Sequence, residues 1–220
     1  MTERWHSVRS LLQGARFGMS VPEPRLLPSD HGLEIAFAGR SNSGKSSAIN
    51  VLCGQHALAR TSRTPGRTQH LVVFDLDDGR RLVDLPGFGY AKVAKTMRAH
   101  WERALPEYLE ERQSLAGLVL LMDIRHPLKP QDELIIRWCA HAGVPLHVLL
   151  SKCDKLGRGQ AAAARLQVKR YLETLVGDLD VQLFSALKRI GLEEACTRLA
   201  DWLEIETPST ACPDSLSVEE

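Results

Sequence analysis

The sequence is poor in aromatic residues, thin in cysteine and almost without net charge, and each shortage excludes something. Phe, Trp and Tyr make up 5% of its 220 residues, too few for a stacking surface of the kind that binds single-stranded nucleic acid. The five cysteines (Cys53, Cys139, Cys153, Cys196, Cys212) are odd in number, and no two stand at C-x-x-C spacing. That argues against a disulfide framework or zinc ribbon and predicts reduced, buried thiols. The longest strongly apolar run, Leu118–Met122, is far short of a membrane span. There is no apolar signal core near the N-terminus and no prenylation signal at Val218-Glu219-Glu220. The expectation is a cytoplasmic protein without membrane contact.

The formal net charge of +1 argues at first against a polyanionic partner. It conceals an asymmetry. Residues 201–220 carry six acids (Asp201, Glu204, Glu206, Asp214, Glu219, Glu220) and no Lys or Arg, so the first 200 hold 28 basic against 21 acidic side chains, a net +7. A moderately basic body beside an acidic tail permits a nucleic-acid partner.

What is present is ordinary for a globular domain: 44% hydrophobic and 25% charged residues, in a chain long enough to bury a full core. Apolar runs alternate with helical-period segments, the pattern of an α/β protein with a mostly parallel sheet. Six strands are predicted, at 33–38, 70–76, 81–84, 118–122, 146–150 and 181–184. Helices are predicted over 46–53, 96–112, 131–142, 159–176 and 192–204. Asp77-Asp78-Gly79 is a hairpin signal, so the second and third strands should be the one antiparallel pair, giving the sheet one antiparallel strand. Trp5, Val8, Leu11, Leu12 and Phe17 suggest an N-terminal helix, and Pro22, Pro24 and Pro28 an extended connector after it. The predicted organisation is a helix and Pro-containing lead-in over 1–30, the domain proper over 31–206, and an acidic, disordered tail over 207–220.

Chemistry enters at Gly39-Arg40-Ser41-Asn42-Ser43-Gly44-Lys45-Ser46, which matches G-x-x-x-x-G-K-[ST] between a predicted strand and a predicted helix. Glycines in such a loop let backbone N–H groups approach phosphate oxygens, and the helix N-terminus adds a favourable dipole. Lys45 would bridge the β- and γ-phosphates, and the Ser46 hydroxyl would ligate Mg²⁺. The fold this implies is a three-layer P-loop NTPase of the Ras-like kind, with a mostly parallel six-stranded sheet.

Asp84-Leu85-Pro86-Gly87 closes the third predicted strand. Asp84 would reach the metal through water, and the Gly87 amide could sense the γ-phosphate. The next residue is Phe88, where Ras-like enzymes place a water-orienting Gln. A phenyl ring cannot hydrogen-bond a water, so slow intrinsic hydrolysis is expected, or reliance on another group, an ion or a partner.

The base should be guanine. Ser151-Lys152-Cys153-Asp154 follows the fifth predicted strand and fits [NT]-K-x-D with Ser in first place. Asp154 can accept from both N1–H and the exocyclic amine of guanine, whereas adenine would leave the carboxylate unpaired. Lys152 would lie across the base. Phe184-Ser185-Ala186, after the sixth predicted strand, would add a backbone N–H to the guanine O6.

Between the P-loop and the second strand, the segment Arg60–Gln69 is polar, basic and rich in turn formers, as a nucleotide-ordered loop should be. A threonine there should complete the Mg²⁺ shell, and Thr61, Thr64 and Thr68 all qualify chemically. Taken together, G-R-S-N-S-G-K-S-S, T-P-G-R-T-Q, D-L-P-G-F-G-Y-A and S-K-C-D resemble the EngB (YihA/YsxC) family of bacterial ribosome-biogenesis GTPases, within the TrmE–Era–EngA–EngB group. The similarity spans about residues 8–205. The resemblance implies Thr68 as the metal ligand beside Ser46, and Gly66, Arg67, Thr68, Gln69 and His70 near the phosphates. It implies hydrolysis resting on Lys45, Thr68 and Gly87, and an activating K⁺ near Asn42. It also implies a role in large ribosomal subunit assembly, in normal division and septation. A monomer is expected.

Nine basic residues between positions 54 and 103 (Arg60, Arg63, Arg67, Arg80, Arg81, Lys92, Lys95, Arg98, Arg103) outnumber five acids. They could contact rRNA phosphates in a nucleotide-dependent way, or form a solvated face. Trp101 and Tyr108 share helical spacing with Leu105 and Leu109 and should be core. A small-molecule P-loop kinase is the competing enzyme class, and Ser151–Asp154 argues against it. A non-catalytic binding module for a division partner is the other alternative, kept open by Phe88.

Overall fold

The computed structural model describes residues 3–60, 70–87, 95–175 and 179–205. In chain order the elements are α1 (Glu3–Gln13), β1 (Arg16–Val21), β2 (Leu33–Gly39), α2 (Lys45–Leu52), β3 (Leu71–Asp75), β4 (Arg80–Asp84), α3 (Lys95–Glu111), β5 (Leu115–Asp123), α4 (Pro130–Ala142), β6 (Leu146–Ser151), α5 (Arg158–Leu172), β7 (Leu179–Leu183) and α6 (Leu192–Trp202). They form one seven-stranded sheet in the order β1-β3-β4-β2-β5-β6-β7. The fold is the expected α/β three-layer G domain.

The strand count corrects the sequence expectation of six. The seventh, β1, pairs antiparallel with β3, which also pairs antiparallel with β4. Among the described strands β3 is therefore the one reversed strand, but it makes two antiparallel ladders. Arg16-Phe17-Gly18-Met19-Ser20-Val21 hid its strand character because it sits at the sheet edge with its first five residues exposed. No apolar alternation survives such exposure. Phe17, expected on the N-terminal helix, is on this strand and 62% exposed.

Period-two burial explains the layers. On β2, Ala36 and Ala38 face the α3, α4 and α5 side, whereas Ile35 and Phe37 face α1, α2 and α6. β5 repeats the division, with Leu118, Leu120 and Met122 on one side and Val119 and Leu121 on the other. Trp101, Leu105, Tyr108 and Leu109 of α3 are core, as their spacing required. Val8 and Leu12 of α1 are completely buried in the opposite core. The lead-in thus completes one helical layer and one edge of the sheet. Cys53, Cys139, Cys153 and Cys196 are free and buried, while Cys212 lies outside the described residues.

The Asp77-Asp78-Gly79 turn links β3 to β4 as expected, with the Asp77 carboxylate accepting from the Arg80 amide at 2.9 Å. At this end of the sheet, far along the strands from their C-terminal edge, Glu34 is fully buried. Its carboxylate is held by Arg112, by Arg81 at 3.5 Å and by the Tyr108 hydroxyl at 3.3 Å. This network ties α3 to β2 and β4. Among the described residues, no helix is long and apolar enough to cross a membrane.

Candidate functional site

β2, β4, β5 and β6 run parallel, so their C-terminal ends lie together, where open α/β sheets bind ligands. All the sequence motifs that fall on described residues converge on this edge. β2 delivers Gly39–Ser46, β4 delivers Asp84–Gly87, β6 delivers Ser151–Asp154 and β7 delivers Phe184–Ala186.

The phosphate loop depends on its glycines. A Cβ on Gly39 would come within 2.6 Å of Ser43 Oγ and 2.8 Å of the Leu121 carbonyl oxygen, so the chain can turn this tightly only without a side chain there. Gly44 has φ +96° at the N-cap of α2, a left-handed conformation that favours glycine. Asn42 is also left-handed, with φ +65°, which Asn tolerates better than most residues. The turn is closed by the Ser43 amide donating to Arg40 O at 2.9 Å.

The Ser151–Asp154 segment, expected to read the base, holds this loop directly. The Ser151 hydroxyl donates to Ser43 O at 2.5 Å and lies 3.1 Å from Met122 O. Lys152 Nζ donates to Asn42 O at 2.6 Å. A trans peptide is planar, so anchoring a carbonyl on one side turns the following N–H to the other. The contact at Ser43 O therefore sets the direction of the Gly44 amide. Ser151, the first residue of the S-K-C-D motif, spends its hydroxyl as a strut between β5, β6 and the loop.

Lys152 also pairs with Asp123 at 3.0 Å. Burial opposes ionisation of Asp123, but hydrogen bonds from Arg125 and Lys152 prevail and hold its carboxyl well below the ordinary range. Asp123 and Arg125 escaped the sequence reading because Asp-x-Arg after a strand has no distinctive spacing. Asp154 accepts from the Ser185 hydroxyl at 2.6 Å. That bond, ahead of the nearby Lys155 charge, keeps the Asp154 carboxyl below its usual range. The Phe184 and Ser185 amides are already committed, to Leu150 O and Ile190 O at 2.9 and 3.0 Å. Of the tripeptide, Ala186 is left as the candidate donor to a base. Cys153 is buried and donates its amide to Phe184 O at 3.2 Å, joining the two base loops.

On the phosphate side, Lys45 Nζ pairs with the Asp84 carboxylate, both buried. Leu85 donates its amide to Phe37 O at 2.9 Å, so β4 stays laced to β2 up to the loop. Leu85 and Pro86 are buried. A Cβ on Gly87 would lie 3.6 Å from the Ser41 nitrogen, which puts the end of D-L-P-G against the phosphate loop. Ser46 is half-buried in the first turn of α2. His70 bonds Ser20 of β1 through Nδ1 at 3.2 Å. Thr61, Thr64, Gly66, Arg67, Thr68, Gln69 and Phe88 lie outside the described residues.

The basic cluster divides. Arg60 and Arg103 are exposed, whereas Arg81 is buried on Glu34 and His31 O, and Arg80 is engaged by Asp77 and Leu203 O. The last two serve the fold at the far end of β4. Arg63, Arg67 and Lys92, with the side chains of Lys95 and Arg98, are outside the description.

Comparison with known proteins agrees with this arrangement. A family model described as 50S ribosome-binding GTPase matches residues 34–152. A probable GTP-binding protein EngB from Colwellia psychrerythraea is 50% identical over 208 residues, covering 94% of this chain and 93% of the relative. One of the same name from Salmonella typhimurium is 52% identical over 196 residues, covering 89% and 93%. Among solved structures, a probable GTP-binding protein engB superposes with TM-score 0.64 at 22% identity, over 79% of this chain and 100% of the other. Era in complex with MgGDPNP and nucleotides 1506–1542 of 16S ribosomal RNA gives TM-score 0.60 at 21% identity, over 78% and 57%. At those identities the structures speak for the fold alone.

Proposed function

The chain belongs to the EngB family of GTP-binding proteins and is a GTPase, and from that premise we propose that it is a slow, nucleotide-gated switch in large ribosomal subunit assembly, needed for normal division and septation. The observation that carries the reading is the direct hydrogen bonding of Ser43 and Asn42 by Ser151 and Lys152. A base-reading motif built into the phosphate loop fits a nucleotide rather than a bare anion.

In this reading the Gly44 amide and its loop neighbours cradle the phosphates, and Asp154 with the Ala186 amide selects guanine. Incoming phosphates give Lys45 a new partner and release Asp84 toward the metal side. The residues present suit Mg²⁺. Ser46 offers a hydroxyl, Asp84 a carboxylate within reach of a bound water, and Thr68 a second hydroxyl. Among the described residues no group of three or more His, Cys, Asp or Glu could hold a metal ion, and Mg²⁺ bound with substrate phosphates needs only one or two protein ligands. When bound, Mg²⁺ neutralises charge across the β- and γ-phosphates. Ser43 Oγ, buried without a hydrogen-bond partner among the described residues, is a further group for the ligand to satisfy. K⁺ near Asn42 would offset the catalytic group that Phe88 does not supply.

Gly87, packed against Ser41, senses the γ-phosphate and passes its presence to the segment leading into α3, where Arg103 and the neighbouring basic residues meet rRNA. Co-sedimentation with purified large subunits tests this. Binding should be stronger with a non-hydrolysable GTP analogue than with GDP, by about tenfold or more, the range of ordinary allosteric coupling. Equal binding in the two states overturns the switch. Labelled ATP binding as well as labelled GTP overturns the base assignment.

A further inference from the structure

Arg40 stands inside the phosphate loop, yet its guanidinium is turned to α4. Nε lies 3.1 Å from both carboxylate oxygens of Asp132, and Nη2 donates to His126 O at 2.7 Å. Asp132 is completely buried at the first turn of α4, where it also accepts from the Lys129 amide at 3.1 Å. We propose that Arg40 and Asp132 are a positioning pair that presets the phosphate loop for nucleotide, and that Arg40 makes no phosphate contact of its own.

The placement of the other anchors shows why the loop needs this one. Lys152 and Ser151 fix the carbonyls of Asn42 and Ser43, the distal half of the turn. Among the described residues, the proximal half, Arg40 and Ser41, is held by the Ser43 amide on Arg40 O and by the Arg40 side chain, beside a β-bridge at Arg40 itself. Ser41 is the residue that Gly87 approaches. The pair therefore sets where the Arg40 backbone sits, and with it the spacing between the phosphate loop and D-L-P-G, while the Ser43 amide on Arg40 O orients the Ser41 amide.

A buried carboxylate is costly unless charge and hydrogen bonds compensate it. Burial pushes the Asp132 carboxyl up, and the Arg40 charge with the Lys129 amide pulls it back. A bridge serving only to join α4 to the sheet could use an apolar contact at less risk. A planar, doubly anchored guanidinium also fixes orientation, which a loop of preset amides requires.

The test is nucleotide dissociation from the full-length protein, followed with fluorescent GDP and a fluorescent GTP analogue. Asp132→Asn keeps the Lys129 cap acceptor and leaves Arg40 charged, but removes the ion pair. It should speed dissociation of both nucleotides about tenfold, less than a full ångström of misplacement can cost. In steady state, KM should rise by more than kcat falls. Arg40→Gln should act in the same direction, and adding Asp132→Asn to it should change little. Arg40→Lys, which retains charge without the fork, should fall between and covers the case where Arg40→Gln does not fold. Thermal unfolding of each variant separates a folding defect from a binding one. If Asp132→Asn releases nucleotide at the wild-type rate while an Arg40 variant releases it faster, Arg40 touches phosphate directly and the proposal is overturned. If neither position alters dissociation and only the melting temperature falls, the bridge is structural and the proposal is equally overturned.

Discussion

At the scale of single residues, the proposed reading of guanine depends on a carboxylate kept ionised by its neighbours. Asp154 can read guanine only as a carboxylate, and the Ser185 hydroxyl is the foremost group lowering its pKa. A depressed pKa means that the charged form, and the affinity resting on it, persists above the folded value and is lost as pH falls through it. Ser185→Ala should therefore move the acid limb of GDP binding to higher pH. Fluorescent GDP titrations at a series of pH values check this, and an unmoved limb refutes the role of the bond. Asp154 was legible because S-K-C-D has fixed spacing and a place after a strand. Ser185 was legible only as part of a tripeptide, its side-chain role arising from a contact 31 residues away.

At the scale of elements, strands and helices with a clean period were readable, and their register was not. β4 illustrates both. Its run Arg80–Asp84 reads as a strand, and its C-terminal Asp84 reads as a metal-side acid. Nothing in it reveals that Arg81, at the other end, is committed to Glu34 beneath α3. Removing Glu34 would leave the buried Arg81 without its counter-charge and the half-buried Arg112 with Asp30 alone. Glu34→Ala should cost about 3–5 kcal/mol, as breaking buried ion pairs does, measured by urea unfolding. A loss under about 1 kcal/mol, the worth of an exposed pair, would show that water reaches the network.

For the whole molecule, the sequence reading treated residues 1–30 as a lead-in to the domain, and the structure builds them into both a helical layer and the sheet. Val8 and Leu12 are fully buried, and Gln55 Nε2 reaches Ala15 O at 2.7 Å. Deleting residues 1–15 should lower unfolding free energy by about 3–6 kcal/mol, from burial of those two side chains alone. Denaturant melts of the truncated protein provide the check, and wild-type stability would mean that α1 is dispensable. The sequence by itself determined the α/β class, the nucleotide, the order of the motifs and the family, because phosphate and guanine recognition need particular atoms at close spacing along the chain. Tertiary structure alone decided that β1 closes the sheet, that Ser151 braces the phosphate loop, and that Arg40 turns to Asp132 while Arg80 and Arg81 serve the fold. Those outcomes turn on which groups the packed layers bring together and desolvate, and no local spacing encodes that.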